Sequence, residues 1–139
     1  MTGELKEKLI AYGMDENYSR LTGLHIVDLD DGRAVIELPV QEGILNRWGT
    51  PHGGALFTLC DVACGMANVT LRQESCVTVN ASIDFLAAAP GHGRLTAVGI
   101  AERSGGKISF LRAEVYDESG RLVAEAHSVM CFTGGELPL

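Results

Sequence analysis

Two neighbouring stretches decide the fold: residues 53–71, GGALFTLCDVACGMANVTL, and residues 77–85, VTVNASIDF. In the first, Leu56, Leu59, Cys60, Ala63 and Ala67 fall on one face at helical spacing, and most other positions are apolar too. A helix apolar nearly all round is expected to be buried nearly all round. Gly53, Gly54, Ala55, Ala63, Gly65 and Ala67 keep it thin, so that a curved sheet can wrap closely around it. In the second stretch the period changes to two. Val77, Val79, Ala81, Ile83 and Phe85 alternate with Thr78, Asn80, Ser82 and Asp84, which predicts a strand with one greasy and one polar face.

Upstream, helices are expected over about 2–12 and 15–21, and strands over 24–29 and about 33–40, joined by the turn Asp30-Asp31-Gly32. Residues 41–52 read as a loop. Downstream, Pro90-Gly91-His92-Gly93 breaks the chain. Strands at about 94–103, 107–117 and 121–132 follow, linked by Ser104-Gly105-Gly106 and Glu118-Ser119-Gly120. Two strands, one long helix and four strands, without alternating βα units, imply an α+β fold with a largely antiparallel sheet. Residues 1–22 form an N-terminal helical segment and residues 23–139 the main domain.

Composition narrows the function classes. The 139 residues are 46% hydrophobic and 21% charged, as in one soluble domain, with a net charge of -7. An acidic surface argues against nucleic acid or an anionic membrane as partner, although a local basic cluster can still hold phosphates. Met1 to Tyr12 is charged and amphipathic, without the apolar run of a secretory signal. Asp61 and Asn68 argue against a membrane span over 53–71. Cys60, Cys64, Cys76 and Cys131 have neither disulfide-framework nor metal-ligand spacing, so buried free thiols in a reducing cytoplasm and no metal are expected.

Within 53–71, Asp61 is the only charged side chain. A carboxylate among apolar residues is costly, so it either faces water, anchors a turn or serves as general base or nucleophile. At the helix entry stands His52-Gly53-Gly54. Helix N-termini present unpaired N–H groups and a positive dipole end, and glycine lets a ligand approach them. Such donors polarise a carbonyl and hold an oxyanion; alternatively the glycines only turn a tight loop and His52 caps the helix or packs. Gly53 and Asp61 lie eight residues apart, about 12 Å along a helix. They cannot both reach one carbonyl carbon within a single chain. Two copies with these helices antiparallel would bring each Asp61 near the other chain's Gly53.

The run from Asn46 through Gly49, His52, Gly53 and Gly54 to Asp61 resembles the signature N-x-x-G-x-x-H-G-G…D of the hot-dog thioesterases. It is most similar to the PaaI-like group of the 4-hydroxybenzoyl-CoA thioesterase superfamily. The resemblance implies a curved antiparallel sheet around one central helix. It also implies a homodimer, with further pairing into tetramers, and an acyl-CoA substrate with no cofactor, coenzyme A being part of that substrate. By the same resemblance Asp61 is the catalytic base or nucleophile, and the Gly53 amide polarises the thioester carbonyl. Asn46 positions water or substrate, and Thr78 orients the water or the carboxylate. Asp61 and Thr78 would come from one subunit, Asn46 and Gly53 from the other. Arg103, Ser104, Gly105, Gly106, Lys107 and Ile108 align with the stretch that contacts coenzyme A, unless that hairpin carries only solvated charges; His52, Gly54 and Phe85 are further binding candidates. Trp48 could line the acyl pocket or pack in the dimer seam. Hydration or dehydration of an acyl thioester, and non-catalytic acyl-CoA binding, are the alternatives. The first wants a histidine beside the carboxylate, which no spacing here provides.

Overall fold

The computed structural model describes all 139 residues. Helices α1 (Gly3–Met14) and α2 (Asn17–Thr22) lead into a hairpin of β1 (His25–Asp30) and β2 (Arg33–Pro39). A loop with one 3-10 turn, Glu42–Ile44, enters α3 (Gly53–Arg72), and β3 (Glu74–Phe85), β4 (Arg94–Ser104), β5 (Ile108–Tyr116) and β6 (Leu122–Glu136) complete the chain. The six strands form one antiparallel sheet in the order β1-β2-β4-β5-β6-β3. After α3 the chain therefore crosses to the far edge, leaving β3 with one unpaired side. This is the hot-dog arrangement the sequence implied.

Local chemistry sets the ends of α3. His52 Nδ1 accepts the Gly54 N–H at 2.8 Å as the N-cap. At the other end Gln73 turns left-handed, with φ 52°, and its N–H returns to the Val69 carbonyl. Between them Leu59, Ala63 and Ala67 are fully buried on the sheet, in one core with Ile36, Ala97, Leu111 and Val115. Leu9 of α1 joins the same core.

Gly99 of β4 sets how closely helix and sheet approach. A Cβ there would lie 2.3 Å from the Ala63 carbonyl oxygen and 2.9 Å from the Cys64 nitrogen, both backbone atoms that no rotamer change can move. Gly99→Ala is therefore expected to destabilise by about 3 kcal/mol, the upper end of ordinary overpacking. The denaturant midpoint should fall well below that of Gly43→Ala, where a Cβ meets nothing within 4 Å. Equal midpoints would mean that the approach is not set by Gly99.

Three expectations need correction. First, α3 is not buried all round: Gly54, Phe57, Thr58, Asp61, Val62 and Gly65 form an uncovered or half-covered stripe. Second, Val77 and Val79 do not share the inward face with Ile83. The ladder with β6 slips between Thr78 and Asn80, so Thr78 pairs with buried Met130 while Asn80 pairs with outward Val129. One extra residue reverses the parity of everything before it. Val77 and Val79 are 53% and 59% exposed, and Thr78 turns toward α3. Third, only Cys60 and Cys64 are buried; Cys76 and Cys131 are half-buried, and all four are free thiols.

Candidate active site

Asp61 sits midway along the uncovered stripe of α3, and the bulge in β3 delivers Thr78 to it. The Thr78 hydroxyl donates to Asp61 Oδ1 at 2.7 Å, leaving the second carboxylate oxygen outside that bond. The pair opens into a cleft of about 390 Å³, walled by Val62, Met66 and Val69 of α3 and by Met130 of β6. No histidine, lysine or arginine lines it. The thiols of Cys60 and Cys64 are pushed up to about 12 by burial, with the charge of Asp61 adding to the effect on both. They stay protonated at neutral pH and are inert as nucleophiles. Of the ionisable side chains from Cys60 to Cys64, only Asp61 lines the cleft.

The other predicted residues gather elsewhere. Asn46 and Gly53 share a separate pocket of about 330 Å³ with Phe85, whose ring lies so close that a Cβ on Gly53 would come 3.1 Å from Phe85 Cζ. Because His52 takes the Gly54 amide, the Gly53 N–H is the free donor of the first turn. Asn46 has a job the signature did not reveal. Its carboxamide oxygen accepts the N–H groups of Trp48 and Thr50, and its Nδ2 donates to Thr50 Oγ1. It thereby fixes the loop that feeds α3, with one amide hydrogen left for a ligand. His52 and Gly54 line a third pocket, beside Tyr18 and Thr58. Trp48 stands 79% exposed at the tip of this loop, with the Arg47 guanidinium over its ring.

The hairpin of Arg103, Ser104, Gly105, Gly106, Lys107 and Ile108 lies at the same end of the sheet as Thr78, since Ile108 pairs with Cys131 and Cys131 with Val77. Phe85, paired with Ala124, is at the opposite end, so one chain does not bring it to that hairpin. Arg103 and Lys107 are exposed and have no ion-pair partner. The hairpin is held by Arg72, which donates to the carbonyls of Gly105 and Gly106 while stacking 4.6 Å over Phe132. Sequence reasoning missed Arg72. A cation in the last turn of a helix was the signal available.

Comparison with known proteins places this geometry. The family model of the thioesterase superfamily matches residues 49–124. A putative esterase of Saccharolobus solfataricus is 33% identical over 103 residues, covering 73% of this chain and 72% of that one. The chain belongs to the thioesterase superfamily. Its PaaI-like character follows from two further matches. The Escherichia coli acyl-coenzyme A thioesterase PaaI is 29% identical over 82% of each chain. The solved structure of the E. coli PaaI protein superposes with a TM-score of 0.87, at 26% identity, over 96% of this chain and 99% of that one. A hypothetical thioesterase protein from Streptococcus pneumoniae, solved with coenzyme A, is 32% identical with a TM-score of 0.76, over 81% of this chain and 88% of that one. Within the superfamily the protein is a thioester hydrolase.

Proposed function

We propose that the protein hydrolyses acyl-coenzyme A thioesters to a carboxylic acid and coenzyme A, at sites shared between two copies of the chain. The observation that carries this reading is the Asp61–Thr78 pair, held at 2.7 Å in an open cleft of a thioesterase-superfamily fold. The S. pneumoniae relative is solved with coenzyme A, and also with one Asp and with one Thr changed to Ala. Those are the residue types paired here.

In the proposed reaction Asp61 takes a proton from water, and the resulting hydroxide bonds to the thioester carbonyl carbon. Thr78, bonded to one carboxylate oxygen, leaves the other to face the water. The Gly53 N–H of the second copy, at the positive end of its α3, holds the developing oxyanion. The carbon–sulfur bond then breaks, and the coenzyme A thiolate receives the proton held by Asp61.

Two features support pairing of copies. The uncovered stripe from Gly54 to Gly65 surrounds Asp61 with small and apolar residues, which suits a second α3 lying antiparallel. The free edge of β3 exposes Val77 and Val79, as an edge that pairs with a copy would. A reducing cytoplasmic location suits the four free thiols.

Mixing the protein with acyl-CoA thioesters from acetyl to palmitoyl, phenylacetyl and hydroxybenzoyl included, should release thiol and the matching acid. No thiol release across the panel would overturn the reading. Coenzyme A phosphates fit the unpaired cations Arg103 and Lys107. Reversing both charges is expected to raise KM more than it lowers kcat, because such contacts form in ground and transition states alike. The effect should shrink with acyl-pantetheine, which lacks the nucleotide. Equal losses on both substrates would move the nucleotide site elsewhere.

A further inference from the structure

The cleft above Asp61 is not closed by the sheet and α3 alone. Its roof is the corner between α1 and α2, where Tyr12, Asp15 and Glu16 line the same cavity as Asp61 and Thr78. The corner is fixed in place. Gly13 lies so close to α3 that a Cβ there would come 2.8 Å from Met66 Sδ, and Lys6 of α1 is tied to Asp28 of β1 at 2.8 Å. At about 390 Å³ the cavity has the size of a small-molecule site.

Its charge identifies what it takes. Three carboxylates, Asp15, Glu16 and Asp61, line the cleft, and no cation does. The nearby Arg20 is already engaged, by Asp15 at 3.1 Å and by Asn17 Oδ1 at 3.0 Å. Coenzyme A phosphates would be repelled from such a cavity, so only the uncharged parts of a bound thioester suit it, and of these the acyl group is the part assigned to it here. The walls it would touch, Met66, Val69 and Met130, are apolar. A second carboxylate at the far end of the acyl chain would face two carboxylates, of which only Asp15 is paired, with Arg20, while Glu16 has no cation beside it.

We propose that the N-terminal segment determines acyl selectivity: Tyr12, Asp15 and Glu16 roof an acyl-group cleft that admits uncharged acyl chains and rejects ω-carboxyacyl thioesters. The proposal rests on the acyl-CoA reading above and deepens it.

The test compares kcat/KM for hexanoyl-CoA and adipyl-CoA, acyl groups of equal carbon number that differ in the terminal carboxylate. The native protein is expected to favour hexanoyl-CoA by roughly tenfold or more. Asp15→Asn with Glu16→Gln should shift the ratio toward adipyl-CoA by about three- to tenfold, the scale of unit-charge repulsion at an exposed rim. The shift should diminish as salt screens the rim. Tyr12→Ala should raise decanoyl-CoA relative to hexanoyl-CoA by opening the roof. Glu16→Gln keeps an acceptor for the Ser19 hydroxyl, which donates to Glu16 at 2.7 Å. That single variant carries the ratio test should the double variant fail to fold. Equal use of the two substrates by the native protein, or a ratio unmoved by the variants, would overturn the proposal while thiol release left the acyl-CoA reading standing. Absence of thiol release from any substrate would overturn both.

Discussion

Replacing Asp61 by Asn is expected to lower kcat by roughly 10²–10⁴, the usual contribution of a positioned acid or base, with fold and assembly unchanged. The substitution is nearly isosteric. Asn retains the Oδ1 that accepts the Thr78 hydroxyl at 2.7 Å, so the local geometry has no reason to move. What Asn cannot do is take a proton from water. Cys60 and Cys64 cannot replace it, because burial keeps both thiols protonated to about 12. The measurement is thiol release from the preferred acyl-CoA, alongside thermal unfolding of both proteins. Single turnover in heavy-oxygen water adds detail: label found in the Asp61 carboxylate after one turnover means that Asp61, not water, attacked the carbonyl. Native turnover in a folded Asp61→Asn protein would remove Asp61 from the chemistry.

A mixture of two inactive variants should regain activity. Asn46→Ala damages the loop that presents Gly53, and Asp61→Ala removes the base. In one chain these residues open into different pockets, about 12 Å apart along α3 when measured from Gly53. If each site takes Asp61 from one chain and Asn46 with Gly53 from the other, a mixed dimer holds one doubly damaged site and one intact site. Random pairing makes about half of the dimers mixed, so activity should recover to about one quarter of the native value. The measurement is thiol release before and after unfolding and refolding the two variants together. A site contained within one chain recovers nothing, because every chain carries a lesion. No recovery despite verified exchange of subunits would rule out the antiparallel pairing of helices.

The parts of this protein that were legible in its sequence share one property: they depend on neighbours a few residues away. Apolar spacing announced α3, and strict alternation announced β3. The short glycine links announced the β4–β5 and β5–β6 hairpins. His52 before two glycines marked the start of α3, since capping needs only the first turn. Asp61 stood out because it was the one charge between residues 53 and 71. Thr78 was named through the family signature, although simple alternation set it on the polar face with Asn80 and Ser82. Only the slip at Val79 returned it to the side of Asp61. A bulge depends on how two strands meet, and β6 lies some fifty residues downstream in the chain.

The sequence by itself determined the order of elements, the long apolar helix, its lone carboxylate and the glycine-led N-terminus, because helix and strand periods are properties of a short window. Only the tertiary structure decided that the Thr78 hydroxyl reaches Asp61, that Asn46 holds its own loop, and that Arg72 clamps the hairpin of Gly105 and Gly106. It also decided that Tyr12, Asp15 and Glu16 overhang Asp61, about 45–49 residues later in the chain. Those are contacts between distant segments, fixed by how the sheet curls, how closely Gly99 lets β4 approach the backbone of α3, and how Gly13 makes room for Met66. Close packing of that kind has no local period to read.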